Sequence, residues 1–122
     1  MIIPSPNGKR GSSMRIITYL GSGNSRHVYR IGKYVIKIPI NDKGESDNIY
    51  EHHYWRKLRK NNLKYSKCFA PCRLLPNNWL MMKYIKPTNE SWNNLPSWAL
   101  NIDCCQVGYD NNKNLMAYDY AF

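Results

Sequence analysis

The sequence predicts an α+β domain: an antiparallel sheet of about five strands with one main helix, followed by a short hairpin. Runs of β-branched and aromatic residues between Arg15 and Ile38 are cut by glycine turns. Between Glu45 and Asn62 the pattern changes to apolar residues at three- and four-residue steps. Near the far end, two short β-like runs flank the polar stretch Asp110-Asn111-Asn112-Lys113-Asn114. With 122 residues and 43% hydrophobic content, one domain has enough apolar surface to build a core.

Residues 1–14 combine Pro4, Pro6, Gly8 and Gly11 with Lys9 and Arg10, too little apolar surface to offset ordering entropy, and read as a loose basic arm. The first strand is Arg15 to Leu20, stopped by Gly21-Ser22-Gly23-Asn24-Ser25. His27 to Ile31, the turn Gly32-Lys33, and Tyr34 to Ile38 complete a three-strand meander that Pro39 ends. In the helix, Ile49, Tyr50, Tyr54 and Leu58 are the core-facing stripe, Arg56, Arg59 and Lys60 lie opposite, and Ser46 or Asp47 caps the start. Arg73-Leu74-Leu75 and Trp79 to Ile85 are two further strands joined through Pro76-Asn77-Asn78, and Gln106 to Tyr109 with Leu115 to Tyr118 form the hairpin.

Eighteen Lys and Arg against eight Asp and Glu give a net charge of +10, a field that favours acidic partners. From Glu51 to Glu90 there is no acidic residue and there are nine basic ones, which reads as a solvated face or as a surface for an acidic protein or nucleic acid. The four tryptophans serve as core or as stacking groups within that face. No apolar run is long enough to span a bilayer and the first residues do not form a signal peptide, so the expected location is cytoplasmic, with no membrane partner. Cys68, Cys72, Cys104 and Cys105 match neither zinc-ribbon nor disulfide spacing and read as small hydrophobes. His52 and His53 point about 100° apart on a helix and cannot share a metal. His27 reads as a loop surface residue.

Taken alone, Gly21 and Gly23 suit a plain hairpin turn, Lys37 a strand lysine with its head in solvent, and Glu51 a helix-surface charge. In this order, however, the elements resemble the protein-kinase-like fold, over most of residues 15–122. Leu20-Gly21-Ser22-Gly23-Asn24-Ser25-Arg26-His27-Val28-Tyr29 is similar to the family's glycine-rich loop, Val35-Ile36-Lys37 to its lysine strand, and Leu80 to Ile85 to the strand entering its hinge. The resemblance implies a small-lobe-like part over residues 15–85 and a large-lobe remnant over 86–122. It implies ATP and magnesium as candidate ligands, with Gly21, Gly23, Val28, Lys37, Glu51, Met82 and Asp119 as nucleotide-site residues. In that register Lys37 pairs with Glu51, Met82 guards the adenine pocket, and Asp119 of Asp119-Tyr120-Ala121 holds magnesium.

The departures are as informative. Arg26 stands at the third glycine, adding bulk and charge where the loop closes over phosphates, so nucleotide binding is expected to be weak. Gln106 falls at the metal-binding asparagine and Asn101 at the catalytic aspartate, and Asn101 cannot accept the substrate proton. Asp103, two residues on, is about 6 to 7 Å away along an extended loop. Residues 86–100 leave no room for the long helices of the larger lobe, and the activation segment is expected to be missing. The resulting expectation is a catalytically impaired kinase-like protein that regulates or inhibits a macromolecular target by docking. Arg56, Arg59, Lys60, Lys64 and Lys67 are its partner-binding residues and an acidic protein surface is its partner. A minimal phosphotransferase completed by a partner or a dimer mate, and a small basic nucleic-acid-binding domain, are the alternatives. A face left uncovered by the absent lobe is a candidate homodimer surface. Fifteen asparagines suggest an AT-rich coding sequence of the kind phages carry, which would place the protein in a host cytoplasm.

Overall fold

The computed structural model describes residues 2–3, 15–90, 92–102 and 106–121. Of the expected basic arm, Ile2–Ile3 form strand β1, and the remainder lies outside the described residues, as do Asp103, Cys104 and Cys105. Then follow β2 (Arg15–Ser22), β3 (Arg26–Ile31), β4 (Tyr34–Pro39), helix α1 (Asp42–Asn61), the short α2 (Leu63–Ser66), β5 (Cys72–Leu74) and β6 (Leu80–Lys83). After β7 (Lys86–Pro87) come 3-10 turns at Trp92–Asn94 and Ser97–Asn101, and then β8 (Val107–Tyr109) and β9 (Leu115–Ala117). A six-stranded antiparallel sheet runs β1-β2-β3-β4-β6-β5, and a second, three-stranded sheet runs β7-β8-β9. The expected five-strand sheet and single main helix are present, and β1 adds an edge strand.

Strand alternation sorts the large sheet into two faces. Val28, Lys37 and Leu80 share a row facing α1, and Val35, Met82 and Cys72 share the next. Beneath them lies the core, where Phe69, Ala70, Leu80, Met82, Val107, Ala117 and Tyr120 are nearly inaccessible. Phe69 packs edge-on against Tyr54, Tyr65 and Tyr120 with centroids 5.1 to 5.4 Å apart, geometry that aromatic quadrupoles favour. Cys72 belongs to this core, and burial pushes its thiol up to about 11, as expected of a small hydrophobe. Trp55 and Trp98 pack partly against it, whereas Trp79 is exposed. The two sheets are stitched through Cys68 to Ala70: Ala70 N–H donates to Ala117 O (2.8 Å) and Ala117 N–H to Cys68 O (2.8 Å).

Helix α1 corrects two expectations. Its N-cap is Asn41, whose Oδ1 accepts the Gly44 N–H at 2.9 Å, so the helix starts earlier than Ser46 or Asp47. Gly44 looks like a loop residue in sequence, but a Cβ there would collide with the Ser25 carbonyl, so glycine is what lets the helix abut the loop. The inward stripe is Gly44, Asn48 and Glu51, continued by half-buried Trp55 and Leu58, while Ile49 is 45% exposed and Tyr50 40%. The period is helical as expected, but it is displaced around the axis because the first half of the helix faces charge rather than apolar surface.

Candidate functional site: a cleft with a charged floor

Between the Gly21–Ser25 loop, the sheet and the β8–β9 hairpin lies a cleft of about 670 Å³. Its roof is the loop. Gly21 sits at φ +141° beside a bulge at Leu20, a conformation that glycine adopts without strain. The end of the loop is fixed to α1: Ser25 Oγ donates to Asp47 Oδ2 (2.8 Å), Ile40 N–H to Ser25 O (2.8 Å), and Asn41 Nδ2 to Asn24 O (3.1 Å). Burial works against the Asp47 carboxylate, but hydrogen bonds from Lys43 and Ser25 outweigh it and hold its pKa below the usual range. Val28, Val35, Tyr84 and Ile85 supply apolar walls, and Gln106 and Asp119 line the far side.

The floor is ionic and buried. Lys37 Nζ donates to both Glu51 oxygens, at 3.0 and 3.3 Å, and to the Tyr118 carbonyl at 2.7 Å, so its three protons are all placed within the protein. Arg26 donates through Nη1 to Asn48 Oδ1 (3.0 Å) and to Glu51 Oε1, and through Nη2 to Asp119 Oδ1 (3.2 Å). Burial would raise the Glu51 pKa, but Lys37, Arg26 and the Tyr120 N–H (2.6 Å) hold it below its ordinary value. Burial likewise opposes charge on Arg26, and Glu51 with Asp119 reverses that effect. Asn48 completes the floor by donating to Lys37 O (3.0 Å) and Asn78 O (2.7 Å), tying β4, α1 and the β5–β6 connection together.

Asp119 is positioned by its neighbour. Tyr120 is buried with its hydroxyl donating to Ala70 O (2.7 Å), which sets the chain after β9 against α1. The hairpin itself is turned by Asp110, whose Oδ1 accepts the N–H groups of Asn112 (2.9 Å) and Asn114 (2.8 Å) while Oδ2 meets Lys83 Nζ (2.8 Å). Burial opposes the charged form of Asp110, yet these donors bring its pKa down to about 2.

The structure thus brings Gly21, Gly23, Val28, Lys37 and Asp119 to one cleft, with Glu51 on Lys37 beneath it. Met82 is a correction: only 1% exposed, it packs in the core and does not line the cleft. Arg26 is another: its side chain turns under the loop into the floor instead of filling the space the loop encloses. Asn101 ends the second 3-10 turn, and Asp103 lies outside the described residues. His27 lies in β3, its Nδ1 3.2 Å from the Tyr19 hydroxyl, not in the loop. Arg56, Arg59, Lys60, Lys64 and Lys67 are exposed on α1, on α2 and just after it, and Arg59 lies over the Trp55 ring (5.1 Å). Asn48 and Asp110 were not singled out from sequence. The only signal for Asn48 is its place three residues before Glu51 on a helix.

Magnesium, implied by the resemblance, does not fit this donor set. An ion at Asp119 would share a carboxylate with a guanidinium 3.2 Å away that repels it. Among the described residues no group of three His, Cys, Asp or Glu is arranged to hold a metal ion, and no helix is long and apolar enough to cross a membrane.

No family model matches the chain, and no curated protein matches it. Among solved structures it is similar to the aminoglycoside phosphotransferase APH(2'')-Ib in its ADP-bound form, at 24% identity and a TM-score of 0.52, over 69% of this chain and 29% of that one. The chain spans less than a third of that protein's length. At this identity the likeness concerns the fold: a kinase-like α+β arrangement of the small-lobe type, with a small second sheet.

Proposed function

We propose that the chain is a catalytically impaired kinase-like binding protein that regulates or inhibits a macromolecular target by docking. The observation that carries this reading is the closed ionic floor under the loop: Arg26 ties Asp119 to Glu51, and Lys37 gives a further proton to the Tyr118 carbonyl. The carboxylate that would bind metal is already held by a guanidinium, so nucleotide binding is weak for a reason other than bulk in the loop. Asn101 in the base position supports the same conclusion. Docking is supported by the exposed basic run of Arg56, Arg59, Lys60, Lys64 and Lys67, which suits an acidic protein surface. The asparagine-rich composition is in keeping with a phage-encoded regulator of a host factor.

The second reading, a minimal phosphotransferase completed by a partner or a second copy, is favoured by the formed Lys37–Glu51 pair and the open cleft. Incubation with labelled ATP and magnesium, with the chain itself and a generic protein acceptor present, separates the two. The proposal expects no label transfer and no thermal stabilisation by ATP. Transfer that is lost in Asp119→Asn would establish the phosphotransferase instead.

A further inference from the structure

The sheet face turned away from α1 belongs to neither reading. By cross-strand register Tyr19, Tyr29, Ile36, Met81 and Arg73 form one continuous row on it, and Ile31 and Tyr34 stand in the adjacent row. Four strand intervals of about 4.8 Å make the first row about 19 Å long. Tyr19 is 51% exposed and Tyr34 46%, and the Tyr19 and Tyr29 ring centroids lie 5.1 Å apart. Strands β2 to β6 hold six Lys or Arg and no Asp or Glu.

At the Tyr34 end of the face opens a second cavity, of about 460 Å³, lined by Arg30, Lys33, Tyr34 and Tyr84 among others, none of them acidic. Arg30 pairs with Val35 and so belongs to the opposite face, where its guanidinium lies 3.8 Å above the Tyr84 ring, which leaves Lys33 as the cation at this end of the outer face. Two exposed rings and a half-buried one in adjacent rows, a lysine at one end and an arginine at the other, and no carboxylate within the strands are what a single-stranded polyanion with planar bases requires. A second copy of this +10 chain would meet like charge on the same face, and an acidic peptide would leave the rings without stacking partners.

We propose that this outer sheet face binds single-stranded nucleic acid, with bases stacked on Tyr19, Tyr29 and Tyr34 and phosphates met by Lys33 and Arg73. Tyr19, Tyr29, Tyr34, Lys33 and Arg73 belong neither to the cleft nor to the basic end of α1, although the second cavity shares Lys83 and Tyr84 with the cleft, so the proposal stands or falls independently of the docking reading.

The test is fluorescence anisotropy with labelled oligo(dT), oligo(U), a duplex of equal length, and polyglutamate as competitor, each over a range of salt. Either single strand is expected to bind more tightly than the duplex, and the DNA and RNA arms show which sugar is preferred. Affinity should fall with salt, and polyglutamate should compete poorly. Tyr19→Ala and Tyr34→Ala should each weaken binding about tenfold without changing the salt slope, as expected for stacking. Arg73→Gln should lower the slope by about 0.7, one phosphate contact's worth on a single strand. No binding, equal affinity for the duplex, effective competition by polyglutamate, or tyrosine variants that bind like wild type would each overturn the proposal. Circular dichroism checks that the variants fold; if the tyrosine variants do not, an unchanged slope in Arg73→Gln overturns it alone. Reversing the five basic residues of α1 and its extension should leave the tyrosine dependence in place.

Discussion

The two halves of the α1 inner face are built in opposite ways. Gly44 abuts the loop, and Asn48 and Glu51 meet the charged floor of the cleft, where nearly every polar atom has a named partner. One turn later Tyr54, Trp55 and Leu58 meet the aromatic layer around Phe69 and Tyr120. The first half depends on the identity of each group and the second on buried area. Shape-conserving changes should therefore be worse in the first half, and volume changes tolerable in the second.

Glu51→Gln is the sharpest test of the first half. It keeps the shape but leaves Arg26 and Lys37 buried without their shared anion, and it should cost about 3 to 5 kcal/mol in urea unfolding. Lys37→Ala should fall in the same direction, with folding rather than any activity as the first casualty. Phe69→Leu, by contrast, removes ring volume from the second half and should cost only about 1 to 2 kcal/mol. If the leucine variant is the less stable of the two, the contrast between the halves is wrong.

Acid should weaken the ionic half of α1 and, separately, the hairpin turn set by Asp110. Glu51 and Asp110 titrate below their ordinary values in the folded protein, so each stabilises the fold fully above its unfolded pKa of about 4 and loses that contribution as pH falls. For Asp110 the loss should run from about pH 4 down through its folded value of about 2. Asp110→Asn should flatten this limb of a stability-against-pH curve; an unchanged limb would mean that Lys83, Asn112 and Asn114 together do not hold the charged form in solution.

The smallest effect is expected at the exposed end. Reversing Arg56, Arg59, Lys60, Lys64 and Lys67 to Glu should shift stability by no more than about 0.5 kcal/mol per site, since none of them is buried. Association with immobilised polyglutamate should nevertheless slow and lose its salt dependence. Equal association at low salt would leave these residues as a solvated surface.

How much of this was legible in sequence follows the same division. Strand order, the β3–β4 turn and the final hairpin show as alternation and turn residues, which are local signals. The Lys37–Glu51 pair and the place of Asp119 follow from the resemblance, and the structure brings Lys37 and Asp119 to one cleft with Glu51 beneath it. On α1 the apolar pattern points to Ile49 and Tyr50 as the inward face, whereas what faces inward there is set by Arg26 and Lys37 on distant strands. Arg26 was visible as a departure from the glycine pattern, but its direction was not, because its partners Asn48, Glu51 and Asp119 lie 22, 25 and 93 residues away. Asp110 reads as an ordinary turn residue until Lys83 is seen beside it.

The central claim is that Arg26 holds Asp119, closing the floor of the cleft. A double-mutant cycle of Arg26→Met and Asp119→Asn, read as unfolding free energy in urea, measures that link directly. The Asp119 side chain is 37% exposed, so solvent screening limits the expected coupling to about 0.5 to 1 kcal/mol in favour of the intact pair. Additive effects of the two substitutions, with coupling below about 0.3 kcal/mol, would mean that the carboxylate is free and would contradict the closed-floor account.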